Sequence, residues 1–315
     1  MNLLQQLTPV NLDQEKQKFF SDQSYNPQFI YTESVDEDKL RQYPKPSQEL
    51  VKLAEKIVAK KLEDPSPSEN LGRILTQAEV TEKAKLFLQL HGLENRFSVV
   101  WSASFLSRAT MTTNALKLKT VATFRELGTA GMLFHEVGTH ALRRVNYEQQ
   151  PWYRKKKKYG FSEYLETEEG LASLHSLLPI PNKSLAKSAI RFLATSHSQT
   201  KSFSQLWEFL SPLISDTEER WMVVARQKRG IADTALPGTF MKDALYFSGA
   251  VKMARWLTAN KFDLTLLYYG KLAVEDIEKA MQLNPNFEPK LPSFFVADKD
   301  MYTRNISAIV AYNNL

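Results

Sequence analysis

Residues 134–144 read "FHEVGTHALRR". Two histidines four residues apart on a helix, with a glutamate after the first, form a zinc-binding pattern in which both imidazoles share a face. Here His135 and His140 are five apart. Each residue of a regular α-helix turns the chain by roughly 100°, so a four-residue offset leaves two side chains about 40° apart and a five-residue offset about 140°. For both to meet one ion, a turn must absorb an extra residue as a π-bulge. Gly138 and Thr139 lie where that bulge is needed. Glycine accepts unusual backbone angles, and a threonine hydroxyl can bond a carbonyl that has lost its helical partner. A metal site therefore demands an irregular helix near Val137 to Thr139. Two ordinary core histidines demand a regular one.

A catalytic zinc needs three protein ligands and an open position. The 315-residue chain has no cysteine, so disulfides, thiolate ligands and a cysteine nucleophile are excluded. The third ligand must be a histidine or a carboxylate from elsewhere, and "LETEEGLASLHSLL", residues 165–178, offers one. Thr167 reads as an N-cap with Glu168 and Glu169 in the first helical turn, where acidic residues are also favoured for purely structural reasons. Gly170 and Ala172 are small enough for this helix to pack closely on another. His91, at a helix C-terminus, reads as structural, and His175 and His197 read as structural or as supports behind the ligands of a metal site.

The rest of the chain suggests an α+β protein, mostly helical, with a small sheet just before the histidine helix. "NLDQEKQKFFSD" reads as a helix capped by Asn11, and "SYNPQFIY" as an aromatic turn that pins it. "PSQELVKLAEKIVAKKLED" is amphipathic, with Leu50, Leu53, Ile57, Val58 and Leu62 on one face. "DPSPSEN", residues 64–70, is the best linker, which suggests an N-terminal helical segment 1–68 packed on a catalytic domain 69–315. "TQAEVTEKAKLFLQLHGL" is a helix closed by Gly92. "RFSVVWSASF" and "TTNALKLKTVATF" read as strands, and the sequence beyond about residue 165 as mostly helical.

The net charge of +6, with a pI near 9.2, suits acidic partners. Its main local source, "RKKKKYG" at 154–160, reads as a solvated loop, and neither a nucleic-acid module nor a membrane span is visible. With no basic leader at the N-terminus, a cytoplasmic protein is the expectation.

"HEVGTH" at 135–140, followed by "EEGLA" at 168–172, resembles the microtubule-associated tyrosine carboxypeptidase family, whose bacterial relatives are known by a Q-E-G-L-A motif. "VNLDQEKQKFF", "YNPQFIY", "RQKRGIADTALPGTFMKDALYFSGA" and "LLYYGKLA" fit as well, so the resemblance covers nearly the whole chain. It implies a zincin-like zinc metallopeptidase in which His135, His140 and Glu169 hold Zn2+ and Glu136 is the catalytic base. Glu168, where bacterial relatives often have glutamine, is not counted as a ligand. The resemblance also implies removal of a C-terminal tyrosine or other aromatic residue from an acidic tail such as that of α-tubulin. These 315 residues do not show the long N-terminal extension of the eukaryotic members, so microtubule targeting is not part of the expectation. Binding a terminal carboxylate calls for a cation, and Arg226, Arg229 and Lys242, with Tyr246, are the candidates from the Gly- and Pro-containing stretch 226–246. The strand "ALKLKTV" is a candidate to align an extended peptide. The competing readings are a zinc endo- or aminopeptidase, a non-catalytic metal-binding regulator, and a nucleic-acid or microtubule-binding module.

Overall fold

The computed structural model describes residues 6–33, 38, 40, 42–63, 71–103 and 107–315. The linker expected at 64–70, and with it the boundary at 68, lies outside them. In chain order the elements are α1 (Leu12–Ser21), α2 (Gln48–Glu63), β1 (Ile74–Leu75), α3 (Gln77–Leu90), β2 (Ser98–Ser102), β3 (Ala109–Met111), β4 (Ala115–Lys119), β5 (Phe124–Arg125) and α4 (Glu126–His135). A π-helical turn, Glu136–Ala141, leads into α5 (Leu142–Glu148). Then come α6 (Leu165–Ser176), α7 (Ala186–Ser198), α8 (Phe203–Leu210), α9 (Thr217–Gln227), α10 (Ala244–Ala259), α11 (Ile277–Leu283), α12 (Ser293–Val296) and α13 (Lys299–Asn313). The protein is thus mostly helical with small sheets.

The chain forms two compact units. One joins Met1–Pro65 with Leu185–Ser248, and the other joins Ser66–Ser184 with Gly249–Leu315. Residues 185–248, expected within a 69–315 domain, therefore share a unit with the N-terminal helices. The reason is apolar packing. Phe19 of α1 sits edge-on to Phe203 and Trp207 of α8 and tilted against Trp221 of α9, with centroids 4.9, 5.1 and 5.5 Å away. Helix α2 lies along α7. Its buried stripe is Val51, Ala54, Ile57 and Val58, and the expected Leu62 is 51% exposed near the helix end. Asn11 precedes α1 but caps it with no side-chain bond, because its amide clamps the Gln28 carbonyl and the Ile30 amide instead.

In the second unit, α3 opens with a capping box between Thr76 and Glu79 and ends before Gly92 at φ +62°. The sheet order is β2-β4-β3, with β2 parallel and β3 antiparallel to β4, and β1 pairs with β5 separately. The strand expected to receive a peptide, β4, is flanked on both sides, so its backbone groups are already used. The edge is β3. Helix α6 packs on α4, and Gly170 of α6 meets Gly249 of α10 so closely that a Cβ on Gly170 would lie 2.1 Å from the Gly249 carbonyl carbon. The small residue expected to permit close helix packing does so.

Candidate metal centre

The helix bearing the two histidines is irregular at the expected place. In the π turn the Leu142 amide reaches back five residues to the Val137 carbonyl. The Thr139 hydroxyl donates to the Phe134 carbonyl at 2.9 Å, and Tyr268 donates to the Gly138 carbonyl. Gly138 has no room for a side chain, since a Cβ there would fall 2.7 Å from the Phe294 ring. The wide turn brings the rings of His135 and His140 to 4.8 Å between centroids. Regular α geometry would have set them on different faces.

Glu169 completes the set. One ligand atom from each of His135, His140 and Glu169 lies within 4.8 Å of the other two, and His140 Nε2 is 3.7 Å from Glu169 Oε2. Around a tetrahedral zinc, donors bonded at 2.0–2.1 Å sit about 3.4 Å apart, so the group needs a modest contraction to close on an ion. The chemistry of the donors fits. Burial and the neighbouring His140 push His135 down to about 4, which keeps that imidazole neutral and able to coordinate. Burial also pulls His140 down, but its bond to Glu168 and the charges of Glu169, Glu168 and Glu136 outweigh that and raise its pKa.

Glu168 faces the other side of the same imidazole. Its Oε1 accepts from His140 Nδ1 at 2.9 Å, which leaves Nε2 with a lone pair turned toward Glu169. Arg143 and Lys271 hold the Glu168 carboxylate in turn. Burial would raise its pKa, but the charges of Lys271 and Arg143 and the His140 bond carry it well below the usual carboxylate range. Arg143 is itself buried and also donates to the Leu267 and Leu272 carbonyls. Apart from the glutamate at 168, no local pattern points to this support. Thr167, expected as an N-cap, lies inside α6, which starts at Leu165, and its hydroxyl accepts from the Val274 amide.

Glu136 is buried at 8% exposure beside the first histidine, and one carboxylate oxygen accepts from the Met111 amide of β3 at 2.7 Å. The edge strand thereby fixes this carboxylate while its second oxygen accepts no hydrogen bond among the described residues. His175 is structural. Its Nδ1 meets the Thr139 hydroxyl at 2.8 Å and its Nε2 meets the Tyr302 hydroxyl at 3.2 Å, so it braces the π turn from α6. His91 is structural too, bonded to the Phe87 carbonyl and the Ser293 amide.

Arg226, Arg229, Lys242 and Tyr246 belong to the first unit. Arg226 forks onto Asp243 at 2.9 and 2.7 Å, while Arg229 is buried and Lys242 and Tyr246 are half-buried. Lys228 between them is fully buried and donates to the Lys201, Leu236 and Gly238 carbonyls. The basic run 154–158 is not wholly solvated either. Lys156 turns inward over the Tyr164 ring and donates to the Lys271 carbonyl, and burial lowers its pKa to about 7. No helix among the described residues is long and apolar enough to cross a membrane.

Residues 24–296 match the family model described as microtubule-associated tyrosine carboxypeptidase. A Rattus norvegicus protein named microtubule-associated tyrosine carboxypeptidase 1 is 34% identical over 327 aligned positions, spanning 99% of this chain and 69% of its own length. The Homo sapiens protein of the same name is 33% identical, spanning 99% of this chain and 68% of its own. Such extensive matches, over a range that includes residues 135–140 and 168–172, mean that the chain belongs to the microtubule-associated tyrosine carboxypeptidase family.

Proposed function

We propose that this protein is a zinc-dependent metallocarboxypeptidase of zincin-like fold. Its substrate would be an acidic peptide or protein tail ending in tyrosine or another aromatic residue, such as that of α-tubulin. The observation that carries the reading is the convergence of His135, His140 and Glu169 through a π turn, with the Glu136 carboxylate beside them. The relatives' names support the carboxypeptidase activity and the terminal tyrosine.

His135, His140 and Glu169 would hold the ion, leaving a fourth position open. Zinc bound there supplies Lewis acidity toward the scissile carbonyl and makes water acidic near neutrality. Glu168 keeps the His140 proton on Nδ1, so Nε2 stays available as a donor. Glu136, anchored at one oxygen by Met111, takes a proton from the attacking water with the other and later passes it to the leaving amine. The edge strand β3, which carries Met111, is the element on which an extended peptide can lie. Arg226, Arg229, Lys242 and Tyr246 remain the proposed group for the terminal carboxylate, and the net charge of +6 suits an acidic tail.

Mass spectrometry of an acidic peptide ending in tyrosine, incubated with zinc-loaded protein, tests the reading. Loss of the last residue with the parent protein and not with Glu136→Gln is the expected result. An intact peptide despite stoichiometric zinc refutes it. Cleavage inside a peptide with an amidated C-terminus would replace it with an endopeptidase.

A further inference from the structure

We propose that Tyr302 and His175 are positioning residues of the metal centre: acting through Thr139, they hold the wide turn that points His140 toward His135 and Glu169. Helix α13, which carries Tyr302 127 residues beyond His175, then governs how well the three ligands meet an ion. The positioning role rests on reading His135, His140 and Glu169 as zinc ligands.

The hydrogen bonds behind the turn run in one direction. Thr139 has a single hydroxyl hydrogen, and the Phe134 carbonyl takes it at 2.9 Å. Toward His175 Nδ1, 2.8 Å away, the same hydroxyl can therefore only accept, so Nδ1 carries the proton. Burial holds the pKa of this imidazole well below its ordinary value, so it is neutral and Nε2 bears a lone pair. Tyr302 donates to that lone pair at 3.2 Å. The order is Tyr302 to His175 to Thr139 to Phe134, and all three side chains are buried.

This chain of bonds ties together the segments that carry the three ligands. Phe134 precedes His135, Thr139 precedes His140, and His175 shares α6 with Glu169. Tyr302 keeps the order fixed. A proton moved to Nε2 would turn Nδ1 into an acceptor, and it would draw the Thr139 hydrogen away from the Phe134 carbonyl that the wide turn has released. Tyr302 opposes that exchange, because Phe294 and Phe295 pack their rings against it and its hydroxyl has no other hydrogen-bond partner among the described residues. Phe294 also lies 4.9 Å from the His175 ring and fills the space that a side chain at 138 would need. Groups that orient a metal ligand from behind are worth about ten- to a hundredfold in affinity, and a link acting through the backbone belongs at the lower end.

Zinc affinity of the full chain, measured by competition with a chromophoric chelator, tests this together with nitrogen-15 spectra of histidine-labelled protein before and after zinc is added. Tyr302→Phe removes only the hydroxyl and should lower zinc affinity about tenfold. Thr139→Val should lose at least as much, and Thr139→Ser, which keeps a hydroxyl, should restore most of it. Ile306→Val trims a buried side chain elsewhere on α13 and should leave zinc affinity unchanged. The spectra should show His175 protonated at Nδ1 and bare at Nε2 in the parent, and a mixture of the two forms in Tyr302→Phe. Should Thr139→Val fail to fold, Tyr302→Phe against Ile306→Val decides alone. Parent-like zinc binding by Tyr302→Phe overturns the positioning role. An equal loss in Ile306→Val overturns it too, by showing that any loosening of α13 suffices. A parent His175 protonated at Nε2 refutes the bond order on which the role depends. A parent that binds no zinc removes the metal centre itself, whereas zinc bound equally by parent and Tyr302→Phe removes only the part played by α13.

Discussion

Replacing Gly170 with alanine should damage the metal centre through packing alone. The added Cβ would lie 2.1 Å from the Gly249 carbonyl carbon and 2.2 Å from its oxygen, where ordinary contact begins at 3.4 Å. The two backbones must part by 3.4 − 2.1 = 1.3 Å, because no flexible side chain stands between them to yield. Overpacking of this kind costs about 1–3 kcal/mol, and backbone against backbone belongs at the upper end. Alanine returns about 1 kcal/mol of helix propensity. The net loss should be about 2 kcal/mol. The residue before Gly170 is the proposed ligand Glu169, whose Oε2 is 3.7 Å from His140 Nε2. A displacement of that size greatly exceeds the tolerance of about 0.2 Å on metal–ligand distances. Zinc affinity, measured by competition with a chromophoric chelator, should fall at least tenfold, in line with the effects of mispositioned ligand support. Gly249→Ala should do the same from the other side, since its Cβ would lie 2.1 Å from the Glu166 carbonyl oxygen, although it neighbours no ligand. If Gly170→Ala melts with the parent and binds zinc equally well, the argument from helix contact is wrong.

Glu168→Gln should lower zinc affinity ten- to a hundredfold in the same competition assay, and it should cost about 3 kcal/mol in denaturant unfolding because Arg143 and Lys271 lose their shared anion. Lys228→Met strips the cation from three buried carbonyls and should destabilise by about 2 kcal/mol, read from the shift in denaturant midpoint. Stability should rise with pH above neutrality through Lys156. Its folded pKa of about 7 lies below the ordinary 10.5, so in that window the unfolded chain binds more protons, and the penalty of burying the charged form is relieved as pH climbs. Lys156→Met should flatten that rise in melts taken from pH 7 to pH 10, and an unchanged slope would assign it to another group.

Much of the site could be read from short-range geometry. The five-residue gap between His135 and His140 required a wide turn, and glycine followed by threonine named its place and the hydroxyl that would satisfy the released carbonyl. The pair Glu168 and Glu169 marked the helix that brings a carboxylate to the two histidines, and Gly170 marked its close approach to another helix. What escaped depends on contacts distant in sequence. Nothing around Arg143 indicates that it will meet Glu168 and two carbonyls more than a hundred residues away, and nothing around Met111 indicates that its amide will hold Glu136. The role of β4 was misjudged because strand propensity does not reveal whether a strand lies inside a sheet or at its edge. The grouping of 185–248 with the N-terminal helices was hidden for the same reason, since an apolar stripe does not name its partner.

The π turn also bears on ancestry. An inserted residue is one way for a histidine spacing of four to become five. In a regular helix one added residue would swing everything downstream by roughly 100°, carrying Arg143 away from Glu168 and from the Leu267 and Leu272 carbonyls. A single wide turn confines the event to six residues, Glu136–Ala141, so that α5 keeps its facing. A lineage that gains the extra residue by insertion keeps both histidines together only where a wide turn can house it. Glycine without a side chain at 138 and a hydroxyl at 139 are the least that such a step requires.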